Sequence, residues 1–184
     1  MRKLNLSFAL VAVILGLAVV PASSDGGKRR RFEANLKGIY EVGTGIGAVS
    51  TVASGSFRAT LSEDGTTISY RLRYSDLEAD ITQSHIHVGQ FHTAGGISVW
   101  LCQTLTNVSP TADTPMCPGP RSGSVEGMLT AANVIDPPGG AVGSGVAAGE
   151  FAELVRLMRS GVTYANVHSL NFPGGEIRGQ IRED

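Results

Sequence analysis

Charges, cysteines and histidines are all scarce in this chain of 184 residues, and each scarcity removes a class of function. Fifteen Lys and Arg against sixteen Asp and Glu give a formal charge of −1, so no overall basic field exists for a nucleic acid. The run Lys28-Arg29-Arg30-Arg31 reads as a solvated tail. Only two cysteines occur, without a CxxC spacing, which argues against a thiolate zinc site. No serine-nucleophile motif is present. The glycine-rich stretch from Gly43 to Gly47 lacks a following Lys and helix, so hydrolase and phosphate-cradling functions drop out together. Few charges combined with 24 glycines predict many turns between close-packed strands rather than disorder.

What is present begins with an export signal. Met1-Arg2-Lys3 is positive, Leu4 to Val20 is almost wholly apolar, and Val20-Pro21-Ala22 ends in small residues, the pattern of a secretory signal peptide over 1–22. Asn5 and Ser7 interrupt the apolar run, which is short for a span of ~20 residues and so disfavours a membrane anchor. No cysteine stands at the boundary to take a lipid. The organisation expected is a signal peptide at 1–22, a basic flexible tail at 23–31 and one folded domain at 32–182, in a secreted or periplasmic protein with no stable membrane anchor after cleavage. In that oxidising setting Cys102 and Cys117, which enclose a loop of turn formers, read as a disulfide. Asn107-Val108-Ser109 on the same loop is a formal glycosylation sequon.

Hydrophobic alternation with period two dominates the rest. Phe32, Ala34 and Leu36 alternate with polar residues, as do Phe57, Ala59 and Leu61, and Asp64-Gly65 signals a hairpin into Ile68, Tyr70, Leu72 and Tyr74. Further strands are expected at 85–88, 97–102, 124–130, 162–168 and 176–181. Short strands with regular turns indicate a β-sandwich or barrel. One helix interrupts them near 150–159, where Phe151, Leu154, Val155 and Met158 form an apolar stripe and Gly161 supplies the stop. Pro173-Gly174 predicts a tight turn that folds the last strand back against its predecessor.

All four histidines fall in or beside two of these strands. Alternation places His85 and His87 on one face, and Tyr164, Asn166 and His168 on one face of a later strand. Three imidazoles brought together in this way would suit copper or zinc, with affinity falling as the rings protonate near pH ~6.5. His92, in the loop from Gly89 to Gly96, is a candidate fourth ligand. The competing reading makes the imidazoles structural, bonding backbone groups between strands with Asn166 in a similar role. Glu176, Arg178 and Gln180 are expected on one face. Either Glu176 pairs with Arg178, or Arg178 stands beside the histidines and holds an anion. Trp100 reads as core or edge packing.

His85-Ile86-His87-Val88-Gly89, Gly95-Gly96-Ile97-Ser98-Val99-Trp100-Leu101-Cys102, Tyr164-Ala165-Asn166-Val167-His168 and Pro173-Gly174-Gly175-Glu176-Ile177-Arg178-Gly179-Gln180 together resemble the CHRD domain. That domain is named for its repeats in chordin and also occurs alone in secreted bacterial proteins. The resemblance implies a mainly β, Greek-key sandwich of the superoxide dismutase-like or immunoglobulin-like kind, with no established catalytic activity. His85, His87 and His168 match the placement of copper ligands in the copper-zinc dismutases, but only His92 remains for the bridging and zinc positions, so a two-metal dismutase is not expected. The function expected is a non-catalytic extracellular binding or structural module for an unidentified extracellular or cell-envelope protein or ligand. A mononuclear copper or zinc protein with metal-handling or redox activity is the alternative.

Overall fold

Period-two alternation builds nearly the whole molecule. The computed structural model describes residues 30–42, 47–136 and 145–184, so the expected signal peptide and most of the basic tail lie outside the described residues. The strands are β1 (Arg31–Lys37), β2 (Ser54–Leu61), β3 (Ile68–Ser75), β4 (Ile81–Val88), β5 (Ile97–Cys102), β6 (Gly123–Leu129), β7 (Thr163–Ser169), β8 (Ile177–Gln180) and β9 (Arg182–Glu183), with helix α1 (Phe151–Arg159) before β7. In β1 Phe32, Ala34 and Leu36 are buried while their neighbours are exposed, and β3 repeats the pattern with Ile68, Tyr70, Leu72 and Tyr74. Between β2 and β3 the Asp64 carboxylate accepts from Ser62 Oγ (2.6 Å) and from the Thr66 N–H (3.1 Å), fixing the expected reversal.

The strands form one sheet in the order β5-β4-β7-β8-β1-β2-β3-β6, with β9 also beside β1. Every pairing between neighbours is antiparallel. The two ends of this ribbon fold toward each other. Tyr70 Oη of β3 donates to Leu101 O of β5 (2.5 Å), and the Ile135 N–H, just past β6, donates to Ser98 O of β5 (2.9 Å). The result is a nearly closed, sandwich-like sheet around Phe32, Leu36, Phe57, Leu72, Ile86, Leu101, Val167 and Ile177. Burial of such side chains, each worth roughly 1.5–3 kcal/mol, is the main force holding the halves together.

Helix α1 adds its apolar stripe to that core, as expected: Phe151, Leu154, Val155 and Met158 are all buried. Glu153 pairs with Arg156 on the exposed side. Gly161, at φ +68°, ends the helix in a left-handed conformation, with the Gly161 N–H on Met158 O (3.1 Å) and the Val162 N–H on Leu157 O (3.2 Å). The chain then enters β7 directly. Among the described residues no helix is long and apolar enough to cross a membrane.

Two expectations on the chain's covalent and terminal organisation meet different outcomes. Cys102 and Cys117 are disulfide-bonded, as expected. The tail boundary moves inward, because Arg31 opens β1 and the Arg30 carbonyl accepts the Leu61 N–H (2.9 Å), extending the β1–β2 ladder to these residues. With 15 positions separating the cysteines, the chain-entropy relation gives the disulfide about 3 kcal/mol of stabilisation. Replacing both cysteines by alanine is expected to lower the urea midpoint accordingly. An unchanged midpoint would mean that the hydrogen bonds of Gln103 to Thr114 and Ser109 hold the loop unaided.

Candidate metal site

The histidine strands meet. β4 pairs antiparallel with β7 in a register that sets His85 opposite Asn166 and His87 opposite Tyr164, and an irregularity between Ile81 and Gln83 brings His168 opposite Gln83. Alternation then turns Ile86, Ala165 and Val167 into the core and the imidazoles to the other face of the sheet. That face is covered too: His85, His87 and His168 are all buried. One ligand nitrogen from each of the three rings lies within 4.8 Å of the others.

Hydrogen bonds set the tautomers. His168 Nδ1 donates to Pro173 O (2.9 Å), which leaves Nε2 with a lone pair 3.2 Å from His85 Nδ1. His87 Nδ1 donates to Gly95 O (2.9 Å), so the neutral ring also presents a bare Nε2. That nitrogen faces Asn166 Oδ1 at 3.1 Å, lone pair to lone pair. Either a half-turn of the amide or a cation between the two atoms relieves the contact. His85 Nε2 is buried with no hydrogen-bond partner among the described residues. Burial keeps the rings neutral. It pushes His87 and His168 down to about 4 and His85 well below 6.5, with the neighbouring imidazole charges reinforcing the effect on His85 and His87.

Aromatic rings frame the cluster. Trp100, opposite His85 on β5, meets it edge-on with 4.4 Å between ring centroids, so this residue packs on the site rather than only on the edge of the fold. Tyr164 stacks on His87 at 4.8 Å with its plane 1° away, and the Arg178 guanidinium stands 3.4 Å from the centre of the Tyr164 ring. Arg178 is also among the largest fully buried side chains of the described residues. It donates from Nη1 to Thr93 O (2.8 Å) and from Nη2 to Gln90 O (3.0 Å). Gln180 Nε2 donates to Gly89 O (2.9 Å), and the Gly95 N–H donates to Tyr164 Oη (3.1 Å). These bonds fasten loop 89–96 over the histidine face.

Arg178 therefore sits near the histidines, as one expectation had it, but its donors go to backbone carbonyls. Among the described residues no ion pair joins it to Glu176. Glu176 does not continue the alternation of β8, because the strand begins at Ile177 and Gly175 (φ +121°) bends the chain just before it. The Glu176 carboxylate instead accepts from Thr51 Oγ1 (2.9 Å), Ser169 Oγ (2.5 Å) and the Glu78 N–H (2.9 Å). The acid that does bear on Arg178 is Glu41. It is buried, its Oε1 has no hydrogen-bond partner among the described residues, and burial pushes its pKa up to about 7 against the pull of Arg178, the Val42 N–H and Asn166. A Cβ on Gly175 would stand 2.5 Å from Glu41 Oε1, so glycine there makes room for the carboxyl group. His92 stays outside the cluster: it is exposed, has φ +65° and packs on Phe91.

This fold and histidine face define the class. The family model of the CHRD domain matches residues 32–181, and the chain belongs to the CHRD domain family. No curated protein and no solved structure matches it.

Proposed function

We propose that this CHRD domain is a non-catalytic, metal-binding module of an exported protein, holding one copper or zinc ion on His85, His87 and His168. The observation that carries this reading is the pair His85 Nδ1 and His168 Nε2, buried and 3.2 Å apart. Two nitrogens ~2.0–2.1 Å from one metal at tetrahedral to trigonal angles are separated by about 3.3–3.6 Å, so little movement is needed. The contact of His87 Nε2 with Asn166 Oδ1 points the same way, since a cation satisfies both atoms. Backbone carbonyls on Nδ1 of His87 and His168 supply the outer bonds that orient metal-binding imidazoles. Export is supported by the disulfide, which belongs to an oxidising compartment. The metal would supply a fixed positive centre cross-linking β4 and β7. The protein's own part is to hold three neutral rings in place and exclude water.

Titrating copper, as anaerobic copper(I) or as copper(II), or zinc into the wild-type protein is expected to saturate at about one equivalent, with His85→Ala and His168→Ala at least tenfold weaker. Because burial holds His87 and His168 at about 4, proton competition is expected only near that pH rather than at ~6.5. Equal binding by all three proteins, or no binding of copper in either oxidation state or of zinc by wild type at micromolar metal, would leave the histidines as structural residues.

A further inference from the structure

We infer that the three-imidazole site selects monovalent copper over divalent zinc, an inference that rests on the metal reading of His85, His87 and His168. The donor set is the first reason. The cluster offers three imidazole nitrogens and no carboxylate or thiolate among the described residues. Asn166 Oδ1, 3.1 Å from His87 Nε2, is neutral as well. An ion bound here keeps its full charge in a buried setting, and the cost of burying charge rises with its square, about fourfold from a monovalent to a divalent ion.

The surroundings sharpen that difference. The buried charged side chain over this face is a cation: Arg178 lies on Tyr164, which stacks on His87, and its guanidinium charge opposes positive charge on His87. The carboxylate of Glu176 is held by Thr51, Ser169 and the Glu78 N–H and supplies no ligand atom to the cluster. Glu41 stands beyond Asn166, next to Gly175 and Arg178.

Coordination number points the same way. Zinc in protein sites is almost always four-coordinate, and divalent copper takes a tetragonal nitrogen and oxygen set. At this site Trp100 meets His85 edge-on and Tyr164 stacks on His87, so aromatic carbon takes up much of the space around two of the three ligand rings. His92 is exposed and held apart in its loop. Asn166 Oδ1 is the neutral oxygen beside the three nitrogens, so zinc or divalent copper would have to draw it in as a fourth ligand and would still keep a full double charge, whereas a d10 monovalent copper ion is satisfied by the three nitrogens.

The test is a pair of competition titrations on the folded protein, copper(I) against a cuprous chelator under anaerobic conditions and zinc(II) against a chromophoric zinc chelator. Copper(I) is expected to bind at least about 100-fold tighter than zinc(II). Asn166→Asp, which keeps the side chain's size and adds one negative charge, is expected to narrow that ratio by at least about tenfold. Zinc binding as tight as copper(I), or a ratio unchanged in Asn166→Asp, would overturn the selectivity while leaving the metal reading intact. Failure of both ions to bind would overturn the metal reading itself.

Discussion

In metal-free form the domain is expected to lose stability steeply as the pH falls from about 6.5 to about 4. His87 and His168 have folded pKa values of about 4, below the 6.5 of an unfolded histidine, and His85 is lowered further in the same direction, chiefly by burial. Between those limits the unfolded chain binds protons that the folded chain refuses. Stability is therefore fully present above 6.5 and is lost on acidification, by roughly 3 kcal/mol for each ring whose value is about 4. Glu41 works oppositely. Its folded value of about 7 lies above the unfolded 4.5, so its contribution is full below 4.5 and is lost as the pH rises through 7. Three rings outweigh one carboxyl, and the optimum is expected near 6.5. Urea midpoints measured with a chelator from pH 4 to 8 check this. A flat profile between 6.5 and 4.5 would show that the rings are solvated or charged in the folded state.

The second large effect is expected at Arg178. Truncation to Arg178→Ala removes the bonds to Gln90 O and Thr93 O and the stacking on Tyr164, and strips Glu41 of its counter-charge. Leaving two carbonyls without donors and taking away the positive charge near Glu41 costs roughly 3–5 kcal/mol, equivalent to a fall in Tm of about 10 °C for a domain of this size. Arg178→Lys is expected to recover less than half, since an ammonium cannot span two carbonyls while stacking on a ring. Calorimetry on both variants gives the sizes, and hydrogen exchange at Gly95 tests the route: faster exchange there is expected because loop 89–96 loses its fastening. Wild-type exchange at Gly95 in Arg178→Ala would mean that Tyr164 and Gln180 hold the loop alone.

Local rules made the strand faces legible and left the distant contacts hidden. His85 with His87, and Tyr164 with Asn166 and His168, follow from alternation within a few residues, and the helix stripe and its Gly161 stop follow from equally local spacing. Pairing of β4 with β7 joins residues about 80 positions apart, for which no short-range pattern exists. Glu41 escaped for the same reason, since its environment comes from Asn166, Gly175 and Arg178 at the far end of the chain. A lone Glu between Tyr40 and Val42 carries no mark of which distant residues will bury it. Alternation places Glu176 on one face with Arg178 and Gln180, and it fails there because Gly175, whose φ bends the chain, stands just before the strand begins at Ile177. His92 shows the opposite limit: nearness in sequence to His87 did not survive a loop that turns it outward.

The pairing of β1 with β9 governs how the domain would respond to tension. Phe32 stands opposite Glu183 and Glu33 opposite Arg182, with Arg30 and Glu183 in an ion pair, so the chain enters and leaves the fold at the same place. A pull on both ends acts across this antiparallel pair and loads its hydrogen bonds one after another instead of together. The first structure to yield would be the two-residue β9, at low force. The β4–β7 ladder carrying the histidines would stay out of the load path until β8, which lies between β1 and β7, had come away.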